Sequence, residues 1–371
     1  MKVLHVITKG EIGGAQSHVV TLTRELLRQG VHAEVAIGGA AGSTLEHQLA
    51  ASGIPVHRIS ELSNALRPVR MMEAVRALRR IVRDTAPDVL HAHSAMAGVV
   101  ARLAGRLSGT PVVYTVHGFA FKAGNAWHRR AMAFSLEWAL APLTHTMICV
   151  SRHEARQAAW LPLAAKRVRV IHNGIEDTTA PQHTTAPPPA HPTSVVMVAR
   201  MAAPKRPDLL LRAIAQLRKS SGDEIPTTFF GDGPDLGAHR ALAEQLALKS
   251  AYFAGDVADA ASRLSAHTLF VLMSDHEGLP ISLIEAMRAS MPIVASDLPG
   301  IRELLPQSEH ALLVPPDAQA LTSALRQLIE SPALRAAMGA AARQRFEQCF
   351  TAQRMVHSVR SVYLAATAPS L

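Results

Sequence analysis

The chain has 371 residues, 48% of them hydrophobic, and its 38 lysines and arginines against 29 aspartates and glutamates give a formal charge of +9. This length and hydrophobicity exclude a disordered chain and a small disulfide-stabilised protein, and they predict two domains. The two cysteines, Cys149 and Cys349, lie far apart in apolar sequence, so we expect neither a disulfide framework nor a cysteine-bound metal cluster, as is usual in a reducing cytoplasm.

Short apolar strands alternate with helical patterns through the first half of the chain, an order typical of a parallel sheet covered on both faces. Residues 3–7 form the first strand, and a helix of about 15–29 follows a glycine-rich turn. Further strands are predicted at 34–37, 88–93, 112–117, 146–150 and 168–172. The N-terminus becomes polar too soon for a signal peptide, and no apolar run approaches the roughly 20 residues that span a bilayer, so we expect a cytoplasmic protein.

A proline-rich break at 176–193 separates the two halves, because such a sequence continues neither a helix nor a central strand. We therefore predict a Rossmann-like domain at 1–175, a linker at 176–193, a second Rossmann-like domain at 194–350 and a helix at 351–371. Strands of the second domain are predicted at 194–199, 227–230, 252–254, 269–273, 293–296 and 311–314. Ligands of such sheets bind beyond the carboxyl ends of the strands.

The positive charge is concentrated in the first half. Residues through Ile175 contain 21 basic and 10 acidic side chains, a charge of +11, whereas the remainder carries −2. This asymmetry predicts an anionic partner for the first domain: nucleic acid, a membrane surface or a phosphorylated substrate. An arginine-rich solvated surface would look the same. Only 4% of residues are aromatic and they are not interleaved with the basic ones, which disfavours single-stranded nucleic acid.

Two segments have the features of phosphate sites. The turn at 10–15, which contains Gly13 and Gly14, brings backbone N–H groups and a helix N-terminus together, although a plain tight turn has the same sequence. In the second segment, Glu277 is predicted to end a buried strand and Pro280 to begin a helix, with Glu285 in its second turn. The N–H groups of 278–281 would then cradle a diphosphate between two carboxylates; a helix cap and a surface carboxylate are the alternative.

Glu277 and Glu285, with seven residues between them, match the E-x7-E element of the retaining GT-B glycosyltransferases of family GT4. The resemblance extends along nearly the whole chain, and Arg200 with Lys205 resembles the basic pair that clamps the donor diphosphate in that family. Other segments resemble, in order, its N-domain loop, hinge, G-x-G-P turn, nucleobase-side strand and diphosphate-facing loop: Gly13 to Ala15, 171–175, 231–234, 252–255 and 295–300.

The resemblance implies an α/β GT-B fold, in which two Rossmann-like domains face each other across a cleft and a C-terminal helix crosses back to the first domain. Apolar residues at helical spacing near the end of the chain, Met355, Val359, Val362 and Tyr363, fit that helix. A last core helix of the second domain would show the same spacing.

Residue roles are carried over from the family onto matching positions. Arg200 and Lys205 would stabilise the leaving diphosphate, the largest contribution in such transfers. Glu285 would accept hydrogen bonds from the ribose, Glu277 would hold the donor sugar, and His117 corresponds to a family histidine that reaches that sugar. The remaining donor-binding positions implied are Gly13, Gly14, Gly255, Asp256, Gly278, Leu279, Pro280 and Ile281.

No metal ion or other cofactor is expected. The sequence has no Asp-x-Asp triplet, the divalent-metal clamp of the other glycosyltransferase architecture. His91 and His93 are spaced to bind a metal ion, but the sequence shows no third ligand near them.

The implied reaction transfers a hexose or N-acetylhexosamine, with retention of configuration, from a nucleotide-diphosphate sugar to an acceptor hydroxyl. UDP is inferred from its frequency in the family. Basic and aromatic residues of the first domain suggest docking on an anionic membrane at the inner face of the cell, where family members reach lipid-linked acceptors for surface polysaccharides. These residues are Arg76, Arg79, Arg80, Arg83, Phe119, Phe121, Lys122, Trp127, Arg129 and Arg130.

Two other functions remain compatible with the sequence. A GT-B nucleotide-sugar epimerase or hydrolase would share the donor site but need no acceptor. A non-catalytic nucleotide-sugar-binding protein would tolerate loss of Glu277 or Arg200 without any loss of turnover.

Overall fold

Two parallel β-sheets organise the chain. The computed structural model describes residues 1–11, 13–65, 67–121, 126–178, 193–257 and 259–368. The chain divides into a first unit of Met1–Glu176 with Ala352–Leu371 and a second unit of Asp177–Thr351. Most of the predicted linker, at 179–192, lies outside the described residues, as does Lys122.

The sheet of the first unit has seven strands in the order β3-β2-β1-β4-β5-β6-β7. They are β1 Lys2–Ile7, β2 His32–Gly38, β3 Val56–Ile59, β4 Val89–His93, β5 Val112–Val116, β6 Thr146–Cys149 and β7 Val168–Val170. The helices among its described residues are α1 Gly14–Arg28, α2 Thr44–Ala50, α3 Pro68–Thr85, α4 Ala95–Ser108, α5 Trp127–Leu140, α6 Arg152–Ala158 and, after the second unit, α14 Ala352–Thr367.

The central strands β4, β5 and β6 are buried along their whole length because helices cover both faces of the sheet. Side chains alternate between the faces. Leu4, Leu90 and Tyr114 pack on the side of α3, α4 and α6, whereas Val3 and Val89 pack on the side of α1 and α14. The sequence-based prediction lacks β3, because its two polar central residues and partial exposure at the sheet edge leave little hydrophobic signal.

The last helix, α14, belongs to the first unit. Met355, Val356, Val359 and Tyr363 are buried in one cluster with residues of β1 and α1. The Tyr363 hydroxyl lies 2.5 Å from Nδ1 of His91 on β4. The returning helix of the GT-B fold is therefore confirmed, and the alternative, a last core helix of the second domain, is wrong.

The second unit contains a six-stranded parallel sheet in the order β10-β9-β8-β11-β12-β13. The strands are β8 Val195–Val198, β9 Thr227–Phe230, β10 Ala251–Gly255, β11 Leu269–Leu272, β12 Ile293–Ser296 and β13 Leu312–Val314. The helices among its described residues are α7 Pro207–Ser221, α8 Leu236–Gln245, α9 Ala260–Arg263, α10 Ile281–Arg288, α11 Pro299–Leu304, α12 Ala318–Glu330 and α13 Pro332–Cys349.

None of the described helices combines the length and the apolar character that a membrane crossing requires. The segment at 171–175, which resembles the family hinge, lies at the end of the first unit's main segment. There the Gly174 N–H contacts the Met355 sulfur at 3.2 Å, and the Ala352 N–H donates to the Ile175 carbonyl at 2.8 Å. Backbone contacts thus join this segment to the start of α14.

We predict that Tyr363→Phe lowers the free energy of unfolding by about 1–3 kcal/mol, because a buried ring nitrogen of His91 loses its hydroxyl partner. Urea denaturation followed by circular dichroism measures this change. Tyr252→Phe is the matched control: Tyr252 is 65% exposed, and its substitution should cost less than about 0.5 kcal/mol. Equal effects of the two substitutions would contradict the prediction.

Candidate active site

Two glycines hold the loop that carries Arg200. A Cβ atom at Gly231 would lie 2.1 Å from the Ala199 carbonyl oxygen, and one at Gly233 would lie 2.4 Å from that of Met201. Gly231 also has a φ of +127°, a conformation that disfavours other residues. The Met201 N–H donates to the Asp232 carbonyl at 2.9 Å. The G-x-G-P turn therefore supports the Arg200 loop by direct backbone contact.

Backbone hydrogen bonds likewise bring Lys205 to Glu277, which is 72 positions away. The Arg206 N–H donates to the Met273 carbonyl, and the Asp275 N–H donates to the Pro204 carbonyl, both at 2.9 Å. β11 already ends at Leu272, so the prediction that Glu277 ends a buried strand is wrong. β11 ends before Glu277 because residues 273–275 form backbone hydrogen bonds with the loop before α7. Glu277 lies in the loop that these hydrogen bonds hold.

Lys205 and Glu277 form an ion pair between the Nζ and Oε1 atoms. Their side chains are only 18% and 10% exposed, so this pair compensates two charges that are largely withdrawn from water. Arg200, by contrast, is exposed, and within the described ranges no hydrogen bond or ion pair engages its guanidinium. Of the two cations predicted to clamp a diphosphate, Lys205 is thus compensated by Glu277, and Arg200 has no acidic partner among the described residues.

The N-terminus of α10 is held by another close backbone approach. A Cβ atom at Gly300, at the start of α11, would lie 1.9 Å from the Gly278 carbonyl oxygen. Pro280 precedes the first helical residue, Ile281, and Leu279 is buried beside it. The turn at 278–280 is therefore fixed before any ligand arrives, and it presents the positive end of a helix dipole.

Glu285 lies in the second turn of α10, as predicted. The Glu285 side chain is partly exposed, but desolvation of its carboxyl group raises the pKa of that group to about 7. The positive charge of Arg288 lowers the pKa and partly offsets this increase. Among the residues that the structure describes, none forms an ion pair or a side-chain hydrogen bond with Glu285. A ligand that donates hydrogen bonds to this carboxyl group would stabilise its ionised form.

Gly255 and Asp256 support a neighbouring turn. The Gly231 N–H donates to the Gly255 carbonyl at 2.8 Å, and the Asp232 N–H donates to Oδ1 of Asp256 at 2.9 Å. The Asp256 carboxylate thus holds the G-x-G-P turn in place. Contact of either residue with a nucleotide remains a prediction.

The other predicted site residues, Gly13, Gly14 and His117, belong to the first unit. Gly13 caps α1 in an extended conformation and Gly14 is its first residue. His117 comes directly after β5, which ends at Val116 rather than at the predicted His117. The Phe119 N–H donates to Oε2 of the buried Glu154 at 3.2 Å, which fixes the loop that His117 begins.

His117 is one of five clustered histidines. On β4, His91 and His93 are two residues apart and share one face of the sheet; His5 of β1 pairs in register with His91, and His18 comes from the first turns of α1. Nδ1 of His5 lies 3.1 Å from Nε2 of His93, and Nδ1 of His93 lies 3.4 Å from Nε2 of His117. The expectation that His91 and His93 lack a third ligand nearby is wrong, because parallel pairing places His5 beside them.

Burial keeps these imidazoles uncharged. Desolvation lowers the pKa of His5 to about 3 and that of His18 to about 4. It also lowers the pKa values of His91, His93 and His117 well below the ordinary value. The residues that the sequence prediction missed are His5 and His18. The signal for His5 was available: it lies on a strand predicted to be parallel to the one that ends at His93.

Family models identify the chain as a glycosyltransferase. Residues 12–179 match the model of Glycosyltransferase Family 4, and residues 182–345 match that of Glycosyl transferases group 1. Because the two matches together span most of the chain, it belongs to the GT4 glycosyltransferases with the GT-B fold, as its motifs predict.

Among curated proteins, the chain is similar to the putative glycosyltransferase EpsD of Bacillus subtilis (strain 168). The two are 27% identical over 311 residues, 78% of this chain and 80% of that protein. It is also similar to the UDP-Gal:alpha-D-GlcNAc-diphosphoundecaprenol alpha-1,3-galactosyltransferase of Escherichia coli, with 24% identity over 312 residues and 80% of each chain covered. A solved structure of Anabaena HepE in complex with UDP and glucose shares the fold, with a TM-score of 0.83, 19% identity and coverage of 98% of this chain and 100% of that one.

We predict that Glu285→Gln stabilises the protein at pH 8 and has little effect at pH 5. The folded-state pKa of about 7 exceeds the ordinary 4.5, so the folded protein binds more protons than the unfolded chain between these values. Its stability therefore falls as the pH rises through that window, and glutamine removes the desolvated charge. Thermal denaturation at both pH values measures the difference, with Glu244→Gln on the exposed side of α8 as control. The same shift in melting temperature at both pH values would contradict the role of ionisation.

Proposed function

We propose that the chain is a retaining, metal-independent glycosyltransferase that transfers a hexose or N-acetylhexosamine from a UDP-sugar to an acceptor hydroxyl. The observation that carries this proposal is the grouping of Lys205, Glu277 and Arg200 on loops of the second unit, with the diphosphate-binding features of α10 on the same sheet edge. The donor diphosphate would meet two cations and the positive end of a helix.

The cations act on the charge that develops as the glycosidic bond breaks. Arg200 presents a planar guanidinium that binds two phosphate oxygens, and Lys205 supplies a compact charge. When the diphosphate takes Lys205 from its ion pair, the Glu277 carboxylate becomes available to accept hydrogen bonds from the hydroxyls of the donor sugar. Stabilisation of the leaving diphosphate by two fixed side-chain cations replaces the divalent ion of other architectures.

Glu285 is the proposed partner of the ribose. Its carboxyl group is desolvated, so hydroxyl donors of a ribose would stabilise the ionised form that burial disfavours. His117 is proposed to contact the donor sugar by its correspondence to the family histidine. Retention is proposed to proceed by departure and attack on one face of the sugar, through an oxocarbenium-like state without a covalent intermediate.

Relatives support the donor and acceptor classes. The HepE structure holds UDP and glucose, the E. coli relative transfers galactose to a diphosphoundecaprenol-linked sugar, and another relative acts in O-antigen biosynthesis. We propose a UDP-sugar donor, a lipid-linked glycan acceptor and a role in the synthesis of a cell-surface polysaccharide. The enzyme would then work in the cytoplasm, at the inner face of the membrane.

One face of the first unit has the composition of a membrane-docking surface. It is the face covered by α3 to α6, and large hydrophobic side chains, including all three tryptophans, are exposed on it: Val69, Met72, Leu107, Trp127, Met132, Trp138 and Trp160. Four arginines of α3 and two hydroxyl residues at the end of α4 and just after it line a cavity of about 610 Å³: Arg76, Arg79, Arg80, Arg83, Ser108 and Thr110. Tryptophans and arginines together favour the interface of an anionic bilayer.

We predict that the purified chain transfers sugar from a UDP-sugar to a polyprenyl-diphosphate-linked acceptor, and that EDTA does not inhibit it. Arg200→Ala and Glu277→Gln should each lower the transfer rate by about 100-fold or more, because each removes a contact to the reacting donor. Arg212→Ala, an exposed arginine of α7, is the control. Mass spectrometry of the product measures turnover, and nuclear magnetic resonance shows the configuration at its anomeric carbon.

The alternatives give different results in this assay. An epimerase or a hydrolase would change the donor without acceptor, and a binding protein would show no turnover. An inverted product would overturn the retaining mechanism alone, whereas full activity of both site variants would overturn the assignment of the site.

We predict that the protein binds vesicles containing anionic phospholipid. The double substitution Arg79→Glu/Arg80→Glu should weaken this binding at least tenfold, because each basic residue near the membrane surface contributes about 1 kcal/mol to binding. Trp127→Ala should also weaken it. The control, Arg240→Glu/Arg360→Glu, makes the same charge change outside the docking face. Cosedimentation with vesicles measures binding; equal losses in both double variants would show that net charge, rather than this surface, is responsible.

A further inference from the structure

The clustered histidines of the first unit have a geometry that the proposed transfer does not require. We propose that His18, His93 and His117 bind a divalent transition-metal ion, with Zn²⁺ as the best fit. One donor atom from each of the three imidazoles lies within 4.8 Å of the others. The proposal goes beyond the transfer reaction, because none of the steps proposed above uses a metal ion.

Distances favour a tetrahedral ion at this place. Two nitrogen ligands about 2.0–2.1 Å from a tetrahedral zinc ion lie about 3.3–3.4 Å apart. Nδ1 of His93 and Nε2 of His117 are 3.4 Å apart, so these two lone pairs need almost no movement to share an ion. The His18 ring is 4.8 Å from the His117 ring, centroid to centroid, and a small side-chain rotation would bring its nitrogen into the coordination sphere.

The neighbouring residues distinguish this triad from His5, His91 and His93, which also lie close together. Both ring nitrogens of His91 are already engaged, one by the Tyr363 hydroxyl at 2.5 Å and one by the Thr115 hydroxyl at 2.7 Å. His18 is buried, and the Asn173 side chain can engage only one of its two ring nitrogens. His18 therefore keeps a second ring nitrogen for an ion, whereas both nitrogens of His91 are engaged.

The proposed ligands also contact neighbouring side chains, in the way that metal-binding histidines are oriented in other proteins. The second nitrogen of His93, Nε2, lies 3.1 Å from Nδ1 of His5, which would fix the ring and its tautomer. The Asn173 side chain contacts the His18 ring and would help to hold its orientation. His117 is only half-buried, so the ion would have an entry path and a fourth position for water.

The ligand chemistry identifies the class of ion. The group consists of uncharged imidazoles without a carboxylate or thiolate, a set that suits Zn²⁺, Cu²⁺ or Ni²⁺ rather than Mg²⁺ or Ca²⁺. If the proposed role of His117 holds, a bound ion would occupy its Nε2 atom and inhibit transfer.

The test uses the full chain. EDTA first removes any bound metal, and dialysis then removes the EDTA. Titration with Co²⁺ should give the intense visible absorption of tetrahedral coordination at one ion per chain, and Zn²⁺ should displace it. His18→Gln and His117→Gln should each weaken Zn²⁺ binding at least tenfold, measured by calorimetry. His357→Gln on the exposed side of α14 is the control and should bind as the original chain does.

His91→Gln distinguishes the two triads, because His91 belongs to the triad of His5, His91 and His93 and not to the proposed one. Circular dichroism tests whether each variant is folded. If His91→Gln still binds Zn²⁺, the result supports His18, His93 and His117 as the ligands. If His91→Gln loses Zn²⁺ binding while His18→Gln binds normally, the proposed ligands are wrong. Absence of a bound ion in the original chain, or equal affinity in all variants, also overturns the proposal. These readouts measure binding directly, so failure of the proposed transfer activity would leave them unaffected.

Discussion

The parallel direction of the strands is the constraint on which the remaining features depend. In a parallel sheet every strand ends at the same edge, so the loops after neighbouring strands meet there whatever their separation in sequence. In the second unit this brings the loop after β8, with Arg200 and Lys205, to the loop after β11, with Glu277. In the first unit it brings His93, the last residue of β4, close to His117, which directly follows β5. The side chains of both units are thus placed by topology before any of them contacts a ligand.

Close backbone packing then limits how far these loops can move. At Gly231, Gly233 and Gly300 a side chain would overlap a carbonyl oxygen of the neighbouring loop. The close contacts are between main chains, so they position the backbone of the Arg200 loop and of the α10 N-terminus without using the side chains of Arg200, Lys205, Glu277 or Glu285.

The sequence predicts the buried strands best, because continuous apolar runs and turns define them: β9 and β12 have the predicted bounds. It misses β3, an edge strand with polar residues. It predicts Lys205 and Glu277 as site residues through family motifs but does not predict their ion pair, since that contact depends on the pairing of two loops 72 positions apart. It notes His91 and His93 but not their partners, because His18 reaches them from a helix, and helical periodicity marks His18 only as a buried position.

The position of α14 also changes how the charge of the chain is understood. With this helix and Glu176 included, the first unit has 23 basic and 11 acidic residues, a charge of +12, and the second has 15 and 18, a charge of −3. The second unit is therefore acidic overall, so its net charge would not attract the proposed nucleotide donor. Under the proposed function, the local cations Arg200 and Lys205 would do so. The excess charge of the first unit is likewise not required by its buried histidines, which are neutral. Five of its 23 basic residues are exposed arginines of α3, on the face that also exposes the tryptophans, and the anionic membrane surface proposed above would account for both.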